Sequence, residues 1–340
     1  MKRFLLLLTV LALVLALVAC DASDSSSEKS HREESENTES EVVSAEESVP
    51  DRESTSTPIL YKVTDEDGDV LWLFGSIHVG KETFYPLPSY VTDAFDGADS
   101  LAVECDIVAF ESDLNAQVEA LTPLMYTDGT TIASYIPEEL YNRGKTVMTE
   151  LGVYAPMMDY YCPSMWSSLI ETSLYMQWGL DPNLGVDRHL IRRAYEQDKE
   201  ILDIESPKAQ YQMLAGFSMG LQMMMLESSL EMSEYPVVAE ATLRQMLEFW
   251  ETGDEEKLAK TVVSDTAQMT QEQKELYAEY TDAMLTQRNL GMAEFAENAL
   301  DSHKEVFLCV GAAHILGEGA LVDLLVQRGY TVERVSAPAR

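Results

Sequence analysis

Apolar and polar positions divide this chain into three unlike parts. Phe4 to Ala19 is an unbroken apolar run behind Lys2 and Arg3. Residues 21–57 carry almost no apolar side chains, and from Pro58 to Arg340 the two kinds alternate in the periods of folded structure. In that third part Ile59 to Val63 and Val70 to Phe74 read as strands, and the acidic, glycine-containing link Thr64 to Asp69 reads as a hairpin between them. Helical spacing follows from Pro88 to Gly97, then a short buried strand from Ser100 to Asp106 and a helix from Phe110 to Leu121. The middle is helical. Pro137-Glu138-Glu139 opens one helix with proline and acids in its first turn, and Met165 to Trp178 and His189 to Gln197 form others. Glu200 to Glu205 is strand-like, and Pro207 to Glu231 is one long methionine-rich helical stretch. Leu243 to Trp250, Glu255 to Val263 and Gln271 to Ala299 continue the helices. The chain closes with a strand at Glu305 to Val310, a helix at Gly319 to Arg328 and a strand at Tyr330 to Val335. Strand–helix–strand at the end is the mark of a parallel arrangement. The predicted class is therefore α/β: a mixed central sheet with flanking helices and a helical middle region, as one large domain or one domain with an inserted helical cap.

The first two parts are not part of that core. A basic start, an apolar run and then Leu17-Val18-Ala19-Cys20 have the form of a secretion signal ending in a lipobox, with Cys20 as the lipidated residue. The other reading is a membrane anchor, because the run is nearly long enough to span. Residues 21–57 hold twelve acids against Lys29, Arg32 and Arg52, a composition that cannot offset its ordering entropy and makes an extended acidic tether. The predicted division is thus 1–20 signal peptide, 21–57 tether and 58–340 folded domain, held at a cell membrane on its extracytoplasmic side. The whole chain carries a net charge of −36; without Lys2 and Arg3 and without the tether's twelve acids and three bases, about −29 remains on the domain. A surface so acidic argues against nucleic acid as a partner. Past Cys20 only Cys105, Cys162 and Cys309 remain, an odd number that excludes a disulfide scaffold.

Chemistry enters through the histidines. The chain has five, and two stand in the same setting at opposite ends of the domain: VLWLFGSIH ends at His78 and VFLCVGAAH ends at His314. Each is a buried strand that stops in a glycine turn and presents an imidazole, so one site assembled from both ends is expected. Glu104 lies in the apolar strand Leu101 to Asp106, where a lone carboxylate is costly to bury. It is either an ordinary ion-pair partner or the third group of a set of two imidazoles and a carboxylate, a common catalytic metal set with room for water. Asp106 is the weaker substitute. His31, His189 and His303 are assigned to the tether, an arginine-rich helix and a polar loop. Asp187 and Glu205 are either site residues or caps and surface acids. Arg288, followed by Asn289, is a cation able to hold a substrate carboxylate or steady an oxyanion. The methionines of 207–231 are core packing or an adaptable apolar groove.

Taken together, Gly75-Ser76-Ile77-His78, Val103-Glu104, Gly185-Val186-Asp187, Glu205 with Gln210, Arg288-Asn289 and Gly311-Ala312-Ala313-His314 resemble the TraB/GumN family, which includes the TIKI proteins and is related to erythromycin esterase-like and ChaN-like proteins. The resemblance implies an α/β fold whose two halves bring both histidine motifs to one cleft. From the TIKI branch it implies a metal-dependent protease using manganese or cobalt, with zinc not excluded; from the TraB branch, interference with peptide signalling. It assigns His78 and His314 as metal or catalytic histidines, Glu104 as the essential carboxylate and Arg288 as the catalytic cation, with Asp187 and Glu205 in a second tier. The expected activity is hydrolysis of a peptide or a small ester or amide. The alternatives are a protein that sequesters a peptide or ligand without turnover, and a non-catalytic surface adaptor.

Overall fold

A computed structural model describes residues 54–335, so the signal peptide, Cys20 and most of the tether lie outside the described residues. Six strands form one sheet: β1 (Leu60–Thr64), β2 (Val70–Ser76), β3 (Ser100–Val103), β4 (Glu200–Asp203), β5 (Val306–Gly311) and β6 (Thr331–Arg334), in the order β4-β3-β5-β2-β1-β6. The four strands β4, β3, β5 and β2 run parallel, and β1 is antiparallel to both β2 and β6. Every residue of β3 and β5 is buried, as expected where helices cover both faces of a parallel sheet and the strand sequence has no polar alternation. The edge strands β4 and β6 are half-exposed. The fold is thus α/β with a mixed sheet and flanking helices, as the pattern predicts.

The differences from the pattern have local causes. Phe110 to Leu121 is two helices, Ile107–Ser112 and Leu114–Leu121, because Asp113 between them accepts from Asn115 N and Ala116 N and starts a new helix. The methionine-rich stretch breaks in the same way into Pro207–Gly216 and Met219–Glu234, with Ser218 capping the second. Met224, Met225 and Met232 are buried in the core there. The predicted strand through Asp106 ends at Val103. The last strand, β6, does not pair with β5: its helix, Leu321–Gln327, carries it over β2 and β1 to the far edge. No helix of the described residues is long and apolar enough to cross a membrane. Cys105, Cys162 and Cys309 are all buried free thiols.

Two features place the site. β3 leads outward to β4 while its neighbour β5 leads to β6 on the other side, so the carboxyl ends of β3 and β5 flank a crevice beside the end of β2. The helix Pro236–Thr252 is then pinned over that crevice, because the Trp250 indole donates to the Gly75 carbonyl at 2.8 Å and Trp250 is fully buried. Trp250→Phe keeps most of the packing and leaves that carbonyl without its donor. It is expected to lower the unfolding free energy by about 1–3 kcal/mol, read by urea denaturation followed by circular dichroism.

Candidate functional site

The parallel registers Ser76↔Gly311 and Val103↔Cys309 bring the ends of β2, β5 and β3 to one sheet edge. His78, His314 and Glu104 each lie just beyond one of these ends. The motif glycines are not there for a turn: neither has a positive φ. They are there for clearance. A Cβ on Gly75 would lie 2.5 Å from Ile315 Cδ1, and one on Gly311 would lie 3.2 Å from His78 Nε2 and 3.3 Å from Glu104 Oε1. The expected glycine turn is therefore corrected to a close approach of backbone to side chain.

Both imidazoles are oriented by their Nδ1. His78 Nδ1 is 2.9 Å from Asp187 Oδ2, and His314 Nδ1 is 2.7 Å from Asn289 Oδ1. Asn289 Nδ2 donates to the Gly319 carbonyl at 3.0 Å, which fixes its oxygen towards His314. Both partners accept, so each ring carries its proton on Nδ1 and presents Nε2 to the cleft. The two Nε2 atoms face the same oxygen, Glu104 Oε1, at 3.8 and 3.9 Å. That oxygen also accepts from Gly311 N at 2.8 Å. Asp187 is neither a helix cap nor a surface acid. It sits in the first turn of Val186–Glu196, which docks against the His78 loop through Val186 N to Ile77 O at 2.8 Å. Gly185 permits this, since a Cβ there would come 2.4 Å from the His78 carbonyl oxygen.

Behind Glu104 lies an ion triad. Arg288 Nη2 donates to Glu104 Oε2 and, at 3.0 Å, to Glu205 Oε2; Nε donates to Glu205 Oε1 at 2.8 Å; Nη1 donates to the Met284 carbonyl at 3.3 Å. Gln210 Nε2 donates to Glu205 Oε2 at 2.9 Å and reaches Glu104 Oε2 at 3.4 Å. Four of the five guanidinium hydrogens are thus engaged, and the second on Nη1 has no acceptor among the described residues. Burial opposes the charge on Glu104, but Arg288, then the two imidazoles and the Gly311 N–H, hold its carboxyl well below the usual carboxylate range. Burial also pulls His78 down, yet the Asp187 carboxylate with its hydrogen bond, joined by Glu104, raises it to about 9. His314 has only a neutral partner, so burial and then Arg288 lower it to about 3.

Other expectations fall elsewhere. Asp106 caps Ile107–Ser112 and accepts from Tyr195, away from the cleft, because it follows the strand end rather than sharing a strand face with Glu104. His189 stacks on Tyr85 at 4.3 Å, and His303 pairs with Asp69 on the surface. The methionine-rich helix Met219–Glu234 supplies no cleft residue; Met246 and Met284, from other helices, do. The cleft encloses about 780 Å³ when the open space at its mouth is counted.

The donor chemistry suits a divalent cation. Glu104, Glu205 and Asp187 bring three negative charges against Arg288, so the cluster carries a surplus of one with His78 protonated and of two once that proton leaves. Hydrogen-bond acceptors on both Nδ1 atoms are what metal-binding histidines use. Among the described residues, no three His, Cys, Asp or Glu side chains already close on a metal-sized point. The 3.8 and 3.9 Å separations exceed the ~3.4 Å edge of a tetrahedral site with bonds near 2.1 Å.

These features define the class: an α/β protein with a buried, ion-paired polar site at the crevice between oppositely connected parallel strands. The chain belongs to the TraB/PrgY/gumN family, whose profile matches residues 59–334. It is similar to YbaP of Escherichia coli K12 and of Shigella flexneri, both described only as uncharacterized proteins. Each is 26% identical over 254 residues, 74% of this chain and 86% of the relative. No solved structure matches. The triad gives a stability test that is independent of activity. Arg288→Met strands the buried Glu104 carboxylate beside the half-buried Glu205 and is expected to cost about 3–5 kcal/mol, with Arg288→Lys costing less, both read by chemical denaturation.

Proposed function

We propose that the chain is a lipid-anchored, extracytoplasmic metal-dependent hydrolase that cleaves a peptide. The observation that carries the reading is the convergence of two oriented Nε2 atoms on one carboxylate oxygen inside a cluster whose three carboxylates outnumber its one guanidinium. His78, His314 and Glu104 would hold a divalent cation. Manganese or cobalt follows from the family resemblance, and a nitrogen and oxygen donor set without thiolate also accepts zinc. Such a cation supplies Lewis acidity towards a water and a scissile carbonyl.

The protein's own groups do the rest. Arg288 keeps Glu104 ionised, so Glu104 acts as a ligand rather than as a proton acceptor. Asp187 and Asn289 hold the two rings so that Nε2, and not Nδ1, meets the cleft. The remaining Nη1 hydrogen of Arg288, which lines the cleft, is placed to donate to the oxyanion as water adds to the carbonyl carbon. The carbon–nitrogen bond then breaks: the carbonyl carbon keeps the water's hydroxyl, and the leaving amine takes the proton that the water gives up. Lipidation at Cys20 and the acidic tether would hold the domain off the membrane surface.

Purified protein is expected to cleave peptides only with Mn²⁺ or Co²⁺ present, and His78→Ala or His314→Ala to lose at least about a hundredfold in kcat/KM. Cleavage that survives chelation, or is unchanged in His78→Ala, sinks the reading. A stoichiometric peptide complex without turnover that survives His314→Ala favours sequestration instead. For the anchor, mass spectrometry of the mature protein should find an acylated N-terminal Cys20, and Cys20→Ser should release the protein from the membrane fraction; an uncleaved leader would point to a spanning anchor.

A further inference from the structure

The wall of the cleft facing the histidines has no part in the chemistry just described. Met246, Leu258, Val262, Tyr277 and Met284 form it, from the helices Pro236–Thr252, Glu255–Val262, Gln271–Thr281 and the π-helical turn Asp282–Thr286. In a domain with a surplus of about 29 negative charges, no Asp, Glu or Lys among the described residues lines this cavity. Among those residues its charged lining besides the histidines is Arg288, whose guanidinium is mostly occupied by Glu104 and Glu205. A basic substrate side chain would find no carboxylate in the lining, and an acidic one would find a cation already paired. Gly311, Ala312 and Ala313, also in the lining, carry no side chain longer than a methyl, and Gly311 lies against the His78 imidazole.

We propose that this wall is a side-chain subsite, and that the peptide cleaved carries a large apolar residue, such as leucine, methionine or phenylalanine, next to the scissile bond. The inference rests on the hydrolase reading and adds the substrate class to it. The cavity is continuous with His78, His314 and Arg288, so a side chain seated against Met246 and Met284 belongs to a residue adjoining the reacting carbonyl. Two methionines in one wall give a surface that adapts to several apolar shapes, which fits a preference by class rather than for one residue. Tyr277 is held in the wall because its hydroxyl accepts from Ser264 N at 2.8 Å and its ring lies nearly parallel to that of Tyr280, another lining residue.

The test has two arms. In the first, full-length protein with Mn²⁺ is given a defined peptide mixture, and cleavage sites are read by mass spectrometry. The expected result is at least a tenfold preference in kcat/KM for Leu, Met or Phe over Asp, Lys or Gly at one position beside the cut. Val262→Trp, at the half-exposed end of its helix, should reduce cleavage of the Phe peptide at least tenfold and that of an Ala peptide much less. Cleavage indifferent to that position overturns the subsite and leaves the hydrolase standing. The second arm needs no turnover. Methyl-¹³C methionine spectra, assigned with Met246→Leu and Met284→Leu, are recorded with N-acetyl-leucinamide, N-acetyl-phenylalaninamide and N-acetyl-aspartamide. Saturable shifts of Met246 and Met284 with the first two alone uphold the subsite even if no peptide is cleaved, when only the hydrolase reading falls. No shift with any of them overturns it.

Discussion

The site depends on Arg288 lying between Glu104 and Glu205. Moving a carboxylate from water into a buried position costs several kcal/mol, and Glu104 is buried beyond the end of a fully buried strand. The guanidinium offsets that cost with planar, charge-assisted hydrogen bonds to both acids, a geometry lysine cannot reproduce. The two acids are neighbours because the parallel pairing of β3 and β4 continues beyond the strands, with Ile204 N donating to Val103 O and Glu205 N to Glu104 O. One arginine therefore closes the open end of the sheet and fixes the oxygen that both imidazoles face. Removing it would leave the carboxylates to repel each other, and only the imidazoles and the Gly311 N–H would remain to favour the ionised form of Glu104.

The position of Arg288 has its own cause. Helical structure runs from Gln271 to Asp301, interrupted only by the π-helical turn Asp282–Thr286. Such a turn inserts a residue and shifts the helical phase. After it, the sequence neighbours Arg288 and Asn289 are both buried and both used, one on Glu104 and Glu205 and the other on His314. Asp187 does for His78 what Asn289 does for His314, but with a charge. The result is two chemically unequal histidines in otherwise similar motifs, one held towards its protonated form and one towards neutrality.

Much of this was written in the sequence, and the part that was not has a common reason. β2 and β5 were legible because a strand buried on both faces has no choice but an apolar run, and the two Gly-x-x-His motifs marked its end twice. Helix boundaries were blurred where a capping residue, Asp113 or Ser218, lay inside a stretch otherwise rich in helix formers. What stayed hidden were pairings made only by the fold. Arg188 reads as one more surface arginine beside Arg192 and Arg193, yet it is 1% exposed and paired with Glu111. Asn289 reads as an ordinary helical polar residue until His314 is brought to it. The methionines of Met219–Glu234 follow the core-packing reading and pack inward, whereas the two that reach the cleft, Met246 and Met284, are single methionines on other helices that no pattern in the sequence marks.

The two walls of the cleft are mechanically one object. Arg288 and Met284 are a helical turn apart and joined by the Nη1 hydrogen bond to the Met284 carbonyl, so the polar cluster and the apolar wall move together. The remaining wall is tied to the sheet at a different point: Trp250 holds the helix bearing Met246 to Gly75, three residues before His78. Gly75 in turn accommodates Ile315, the residue after His314. A displacement of either helix would therefore reach one histidine or the other through direct contacts. This coupling lets a binding wall made of flexible side chains sit on a rigid frame, because the adaptability lies in the methionine side chains and the positioning lies in the backbone contacts beneath them.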